Sequence, residues 1–171
     1  MATKVSLYEV VGALEIASDE MSSFVSKRTG KVVMLSHEAM QLAEEDSQED
    51  LPDWEEEERR LAKDVLESSD WLALPSKFEI HEWETMNRFG QSLSVPAQCE
   101  EVLDAIHGSG AFRVFKSTLR RLCLEDAWFA FRNSVLEAIA RQWLGEHGFE
   151  VNDDRDSPSP RNVSAPSNPR P

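Results

Sequence analysis

Cysteine is almost missing from this chain: Cys99 and Cys123 are the two in 171 residues, and they do not stand in CxxC spacing. That excludes a disulfide framework and gives no support to a structural zinc or a redox pair, so the expectation is two buried thiols in a reducing compartment. Long hydrophobic runs are missing too, since no stretch approaches the eighteen or so apolar residues of a membrane span. The opening residues, MATKVSLYEVVGALEIA, lack the charged start, apolar run and small-residue cleavage site of a secretion signal. A cytoplasmic protein with no membrane partner is expected. No phosphate-cradling Walker motif occurs, because Gly110 is followed by Ala111 and Phe112 rather than by lysine and a hydroxyl residue. His107-Gly108-Ser109-Gly110 lacks the G-x-S-x-G order of a nucleophile elbow. The segments opening at His37-Glu38 and His81-Glu82 each begin like a helical zinc motif, yet neither has the second histidine four residues on. Glu55 to Glu58 are consecutive, so on a helix they spread around the axis instead of converging on a cation. Neither a catalytic residue nor a metal ligand nor a cofactor is assigned.

Acid and aromatic residues are present in quantity. Five tryptophans and eight phenylalanines supply the large side chains that dominate burial, enough for one ordinary domain. The net charge is −14, unevenly placed: residues 1–50 hold four basic and ten acidic side chains, and residues 51–108 hold five and fourteen. Residues 109–149 reverse the sign with six basic against four acidic, and residues 150–171 hold three against four. An acidic body repels nucleic acid and anionic membrane at long range, whereas a local basic face still captures a phosphate at contact distance.

The periodicities predict a predominantly helical α+β domain over residues 1–150 with a small antiparallel sheet. Ser6-Leu7-Tyr8-Glu9 has the form of a capping box, and Leu7, Val10, Val11 and Leu14 continue it as a helix over about 6–18. Met21 to Val25 and Val32 to Leu35 flank Lys27-Arg28-Thr29-Gly30 and read as a hairpin, with Trp71 to Leu74 as a further short strand ended by Pro75. Ser36 is an N-cap for a helix to about 44, and Asp53 has the form of a cap for another, laced by Glu55–Arg59 and Glu56–Arg60 pairs. Ile80, Trp83, Met86 and Phe89 recur every three residues along one helical face. Pro96 fits the first turn of a helix carrying Cys99, Val102, Leu103 and Ile106, with Gly108 as a left-handed cap. A helix over 111–122 is expected to bury Phe112, Phe115, Leu119 and Leu122. The last, over about 126–146, is expected to bury Trp128, Phe131, Val135, Ile139 and Trp143. The proline- and serine-rich residues 151–171 read as a disordered tail.

The order of an early helix, a hairpin with a Thr29-Gly30 turn, Leu74-Pro75, Met86-Asn87-Arg88-Phe89, GAFRVFK at 110–116, Trp128 with Phe131-Arg132, and Trp143-Leu144 before Gly148 resembles the bacterial uncharacterised protein family number 158. The resemblance covers about residues 5–150, and GAFRVFK with the aromatic-rich helix after it is the most specific part. The acidic insert at 44–60 and the tail depart from the family pattern. An uncharacterised family implies no activity, and no catalytic residue is carried over.

One constellation remains. On a helix beginning near Ala111, Arg113, Lys116 and Arg120 stand at i, i+3, i+7 beside Arg121, with free backbone N–H groups expected from Gly110 to Arg113. Gly110, Arg113, Lys116, Arg120 and Arg121 form a candidate anion site, against the alternative that the cations pair with neighbouring carboxylates or that Arg113 braces Glu125 or Asp126. The expected function is a non-catalytic interaction or regulatory protein whose partner is another protein, with an exposed apolar patch involving Trp54 or Trp71. In one form of it the acidic body imitates nucleic acid. The second expectation is a phosphate- or nucleic-acid-binding module using the basic face. An enzyme requires a cluster of His37, His81 or His107 with carboxylates.

Overall fold

The computed structural model describes residues 2–45 and 50–154. Most of the acidic linker at 44–50, and the tail from residue 155 onward, lie outside these residues. A short strand β1 (Lys4–Ser6) opens the chain and runs straight into α1 (Leu7–Glu15). The Ser6 side chain accepts the Glu9 N–H at that junction, and Leu7, Val10, Val11 and Leu14 are buried as their spacing requires. The hairpin follows as β2 (Met21–Ser26) and β3 (Val32–Ser36), in the register Val25 opposite Val32. Gly30 at the turn has φ 75°, and a Cβ there would lie 2.0 Å from the Lys4 carbonyl oxygen, so no other residue fits this backbone.

Ser36 caps α2 (His37–Glu44) through the Ala39 N–H, and α3 (Asp53–Glu67) packs against it. Asp53 is not the cap: Pro52 occupies that position with no side-chain bond, and Asp53 lies in the first turn, where its charge favours the positive end of the helix dipole. Glu56 pairs with both Arg59 at 3.1 Å and Arg60 at 3.5 Å, the former at i,i+3 rather than the i,i+4 spacing read from Glu55. Strand β4 (Trp71–Ala73) pairs antiparallel with β2, giving the order β3-β2-β4.

The face predicted for Ile80 to Phe89 is split. Helix α4 (Lys77–Ile80) ends in the left-handed residue His81, φ 55°, and α5 (Glu82–Ser92) begins after it. The re-aimed helix buries Met86 and Phe89 and leaves Trp83 half-exposed, its indole N–H donating to the Ile106 carbonyl. Helix α6 (Pro96–Ala105) has proline in its first turn as expected, then α7 (Ala111–Arg121) and the 22-residue α8 (Glu125–Glu146).

Burial divides into three clusters, two of which α8 ties together. Its N-terminal Trp128 packs edge-on against Phe115 at 4.9 Å and Phe89 at 5.3 Å, joining α5, α6 and α7. Its C-terminal half sends Leu136, Ala140 and Leu144 onto α1, Val25 of β2 and Leu74. The third cluster fills the other face of the sheet with Val33, Leu35, Ala39, Ala62 and Val65. Leu136, Ala140 and Leu144 are the deepest α8 positions here, whereas Phe131, Val135, Ile139 and Trp143 are partly covered.

The tail boundary at 151 is corrected. Strand β5 (Glu150–Asn152) pairs in parallel with β1, placing Val151 opposite Val5, and Val151 packs on the first cluster. Asp154 then accepts hydrogen bonds from the Ser6 hydroxyl and the Tyr8 N–H. One apolar residue in a polar stretch has no periodicity, which is why this strand escapes a reading of pattern. Cys99 is half-buried and Cys123 exposed, so the expectation of two buried thiols fails; Cys123 sits in the tight turn between α7 and α8 at φ 57°.

Candidate functional site

The basic face belongs to α7, and its exposure follows from how that helix is seated. Phe115, Thr118 and Leu119 are buried against the second cluster. At about 100° per residue, Phe112 falls at the edge of that stripe and Val114 on its far side. Both are about half exposed, at 50% and 46%. The expectation that Phe112 is buried is therefore overturned: it lies in the first turn, at the margin of the packed face. Arg113, Lys116, Arg120 and Arg121 are all exposed on the arc between these two apolar side chains.

The cations have different surroundings. Lys116 Nζ lies over the Phe112 ring, 4.5 Å from its centroid. Arg120 reaches Glu125 at 3.4 Å, and Arg121 pairs with Glu101 on α6. Exposed pairs of this kind contribute about 0–1 kcal/mol and are readily exchanged for another anion. Arg113 makes no ion pair among the described residues; Glu125, offered as its brace, is taken by Arg120. Gly110 stands at the N-cap in the left-handed conformation, φ 72°, without a side-chain cap bond. The run of free amides is shorter than expected, because the Arg113 N–H donates to the Gly110 carbonyl at 3.1 Å.

Compared with known proteins, the chain matches no family model, no curated protein and no solved structure. Its functional residues have to be read from their own surroundings.

The histidines are dispersed. His37 Nε2 is 3.0 Å from the Ser22 hydroxyl, His107 stands beside the Trp83 ring, and His147 stacks on Trp143 at 4.1 Å between centroids. His81 is the left-handed link between α4 and α5. Among the described residues no three His, Cys, Asp or Glu side chains are grouped to hold a metal ion. No helix among them is long and apolar enough to cross a membrane. The acidic side chains near 55–58 are partly used internally: Glu58 accepts from the Ser36 N–H and hydroxyl, and Glu56 holds its two arginines.

Of the two tryptophans proposed for an apolar surface, Trp54 is 66% exposed, whereas Trp71 packs in the third cluster and donates to Asp64 at 2.8 Å. Sequence reasoning missed the outward Phe112, Val114 and Phe129, the last 61% exposed. The wheel position of Val114, well away from Phe115 and Leu119, was a usable signal; Phe129, next to the buried Trp128, needs only the helical turn between neighbours.

Proposed function

We propose that this is a non-catalytic interaction or regulatory protein, that its partner is another protein, and that the outward face of α7 docks it. The observation that carries the reading is a basic stripe bordered on both sides by half-exposed apolar side chains, Phe112 and Val114, on a helix whose other face is buried. Apolar anchors within a charged rim are the composition of a protein-docking surface. On a chain of net charge −14 this local excess of cations fits an acidic partner segment. The cytoplasm as its location, and membership of the bacterial uncharacterised family number 158, are parts of the same proposal; free thiols at Cys99 and Cys123 accord with the former.

The second reading, a phosphate- or nucleic-acid-binding module, is favoured by Arg113, which has no ion pair among the described residues and stands beside the uncapped N-terminus at Gly110. A tagged full-length chain carried through a host lysate, with and without nuclease, separates the two. Docking through α7 predicts one protein retained stoichiometrically after nuclease and lost in Phe112→Ser with Val114→Ser. The second reading predicts nuclease-sensitive material whose retention falls steeply with salt and vanishes in Arg113→Ala with Lys116→Ala. Retention unchanged in both double variants would remove α7 from either reading.

A further inference from the structure

Away from α7, a groove of about 420 Å³ runs between α1 and β3, with Asn133 of α8 at its side. Its walls are Val11 and Tyr8 of α1 and Val32 and Met34 of β3. Strand β3 is an edge of the sheet, with β2 on its other side. The direction of its hydrogen bonds is set by its two ends: Ser26 N–H donates to the Lys31 carbonyl and His37 N–H to that of Glu20, both at 2.9 Å. In an antiparallel pair such bonds recur at every second residue, so with Phe24 opposite Val33 and Ser22 opposite Leu35, the odd-numbered residues face β2. Val32, Met34 and Ser36 turn their backbone groups outward. The Ser36 N–H is satisfied by Glu58 at 3.2 Å, and no described residue bonds the N–H or C=O of Val32 or Met34.

Two further features sit on the facing helix. Gly12 is in mid-helix, where glycine weakens a helix, and a Cβ there would meet nothing within 4 Å. No contact among the described residues therefore calls for its small size; it keeps the groove floor open. Glu9 and Glu15, exposed at either end of the groove, make no ion pair among the described residues. Six residues of helix separate them by about 9 Å.

We infer that this groove takes an extended peptide of a partner protein, added to β3 as a further strand. The peptide carries an apolar side chain over Gly12 and a lysine or arginine two residues to each side. Its backbone bonds Val32 and Met34, which supplies affinity without regard to sequence, while alternate side chains face α1 and supply the selection. Basic side chains about 13–14 Å apart along a strand curl inward to reach Glu9 and Glu15. This surface is separate from the α7 face, so either assignment can fail without the other.

The test uses the full chain and a pool of labelled, end-capped nine-residue peptides with lysine at their third and seventh positions and isoleucine at the fifth. The other positions are varied among threonine, serine, valine and glutamine. Anisotropy titration should show binding that weakens with salt, falls at least tenfold in Gly12→Leu, and loses its salt dependence in Glu9→Gln with Glu15→Gln. Gly12→Leu enters open space on a helical backbone, so circular dichroism should show it folded. N-methylation of alternate peptide amides should abolish binding in one phase of alternation only. No binding by the pool, or equal affinity in Gly12→Leu, overturns the proposal. So does binding that emerges only when residues 155–171 are removed, which would make the chain's own terminus the occupant. A concentration-dependent dimer lost in Gly12→Leu would instead assign the groove to a second copy and overturn it as well.

Discussion

Asp154 shows how one side chain joins distant parts of the chain. Burial acts to raise its pKa, but the hydrogen bonds from the Ser6 hydroxyl, the Tyr8 N–H and its own N–H together outweigh this, and the carboxyl is held below its ordinary 3.8. A depressed carboxylate pKa adds stability that is complete above the unfolded value and is lost as pH falls through the folded one. Asp154→Asn should therefore unfold at lower urea concentration than the wild type at pH 7 and at pH 5. The two midpoints should converge only as pH falls through the folded-state pKa, which lies below 3.8, so that the wild-type side chain is neutral in the folded chain as well. A difference that persists unchanged at low pH would mean that the hydrogen-bond geometry, and not the charge, does the stabilising.

At the scale of the element, α1 illustrates what a linear pattern contains and what it omits. Its cap and its four buried positions follow from Ser6 and the 3.6-residue period, because both depend on residues within one or two turns. The hairpin, β4 and the proline start of α6 are legible for the same local reason. Gly12 is not explained by local rules at all. Since none of the described residues occupies the space above it, Gly12→Ala should raise stability by about 0.5–1 kcal/mol, measured by urea denaturation. A loss would show that another part of the chain covers this position in solution. The interruption at His81 is the opposite case: Ile80, Trp83, Met86 and Phe89 keep a helical spacing across a left-handed residue, and the pattern has no mark of the break. Phe112 marks the same limit in the candidate site. Residue type and spacing placed it in a core stripe, but whether a stripe's first turn is covered depends on which neighbour reaches it. The cations of α7 were legible as a basic face; their division among Glu125, Glu101, the Phe112 ring and, for Arg113, no ion pair among the described residues was not, because each depends on a tertiary neighbour or a rotamer.

For the whole molecule, the unforeseen feature is that the first and last described strands, β1 and β5, are paired. Parallel strands need a long crossover, and here everything from α1 to α8 forms it. Strand β1 leads directly into α1, which supports one side of the sheet, and β5 follows the C-terminal half of α8, which covers α1. Closing the two ends thus holds α8 across the first cluster, and Arg132 adds a second tie, reaching Glu82 of α5 at 2.7 Å and the Glu15 carbonyl at 3.3 Å. If that closure stabilises the body, a chain ending at Phe149 should be less stable than one ending at Asp154, although both lack the terminal residues. The shorter chain loses the strand pairing, the packing of Val151 and the bonds at Ser6 and Tyr8, together worth about 2–3 kcal/mol. Urea denaturation of the pair measures the difference, and hydrogen exchange locates it: amides of β1 and of the first turn of α1 should lose protection before those of α6 and α7. Equal stability would mean that α1 and α8 hold each other without the closing strands, leaving the parallel pair a consequence of their packing and not a cause of it.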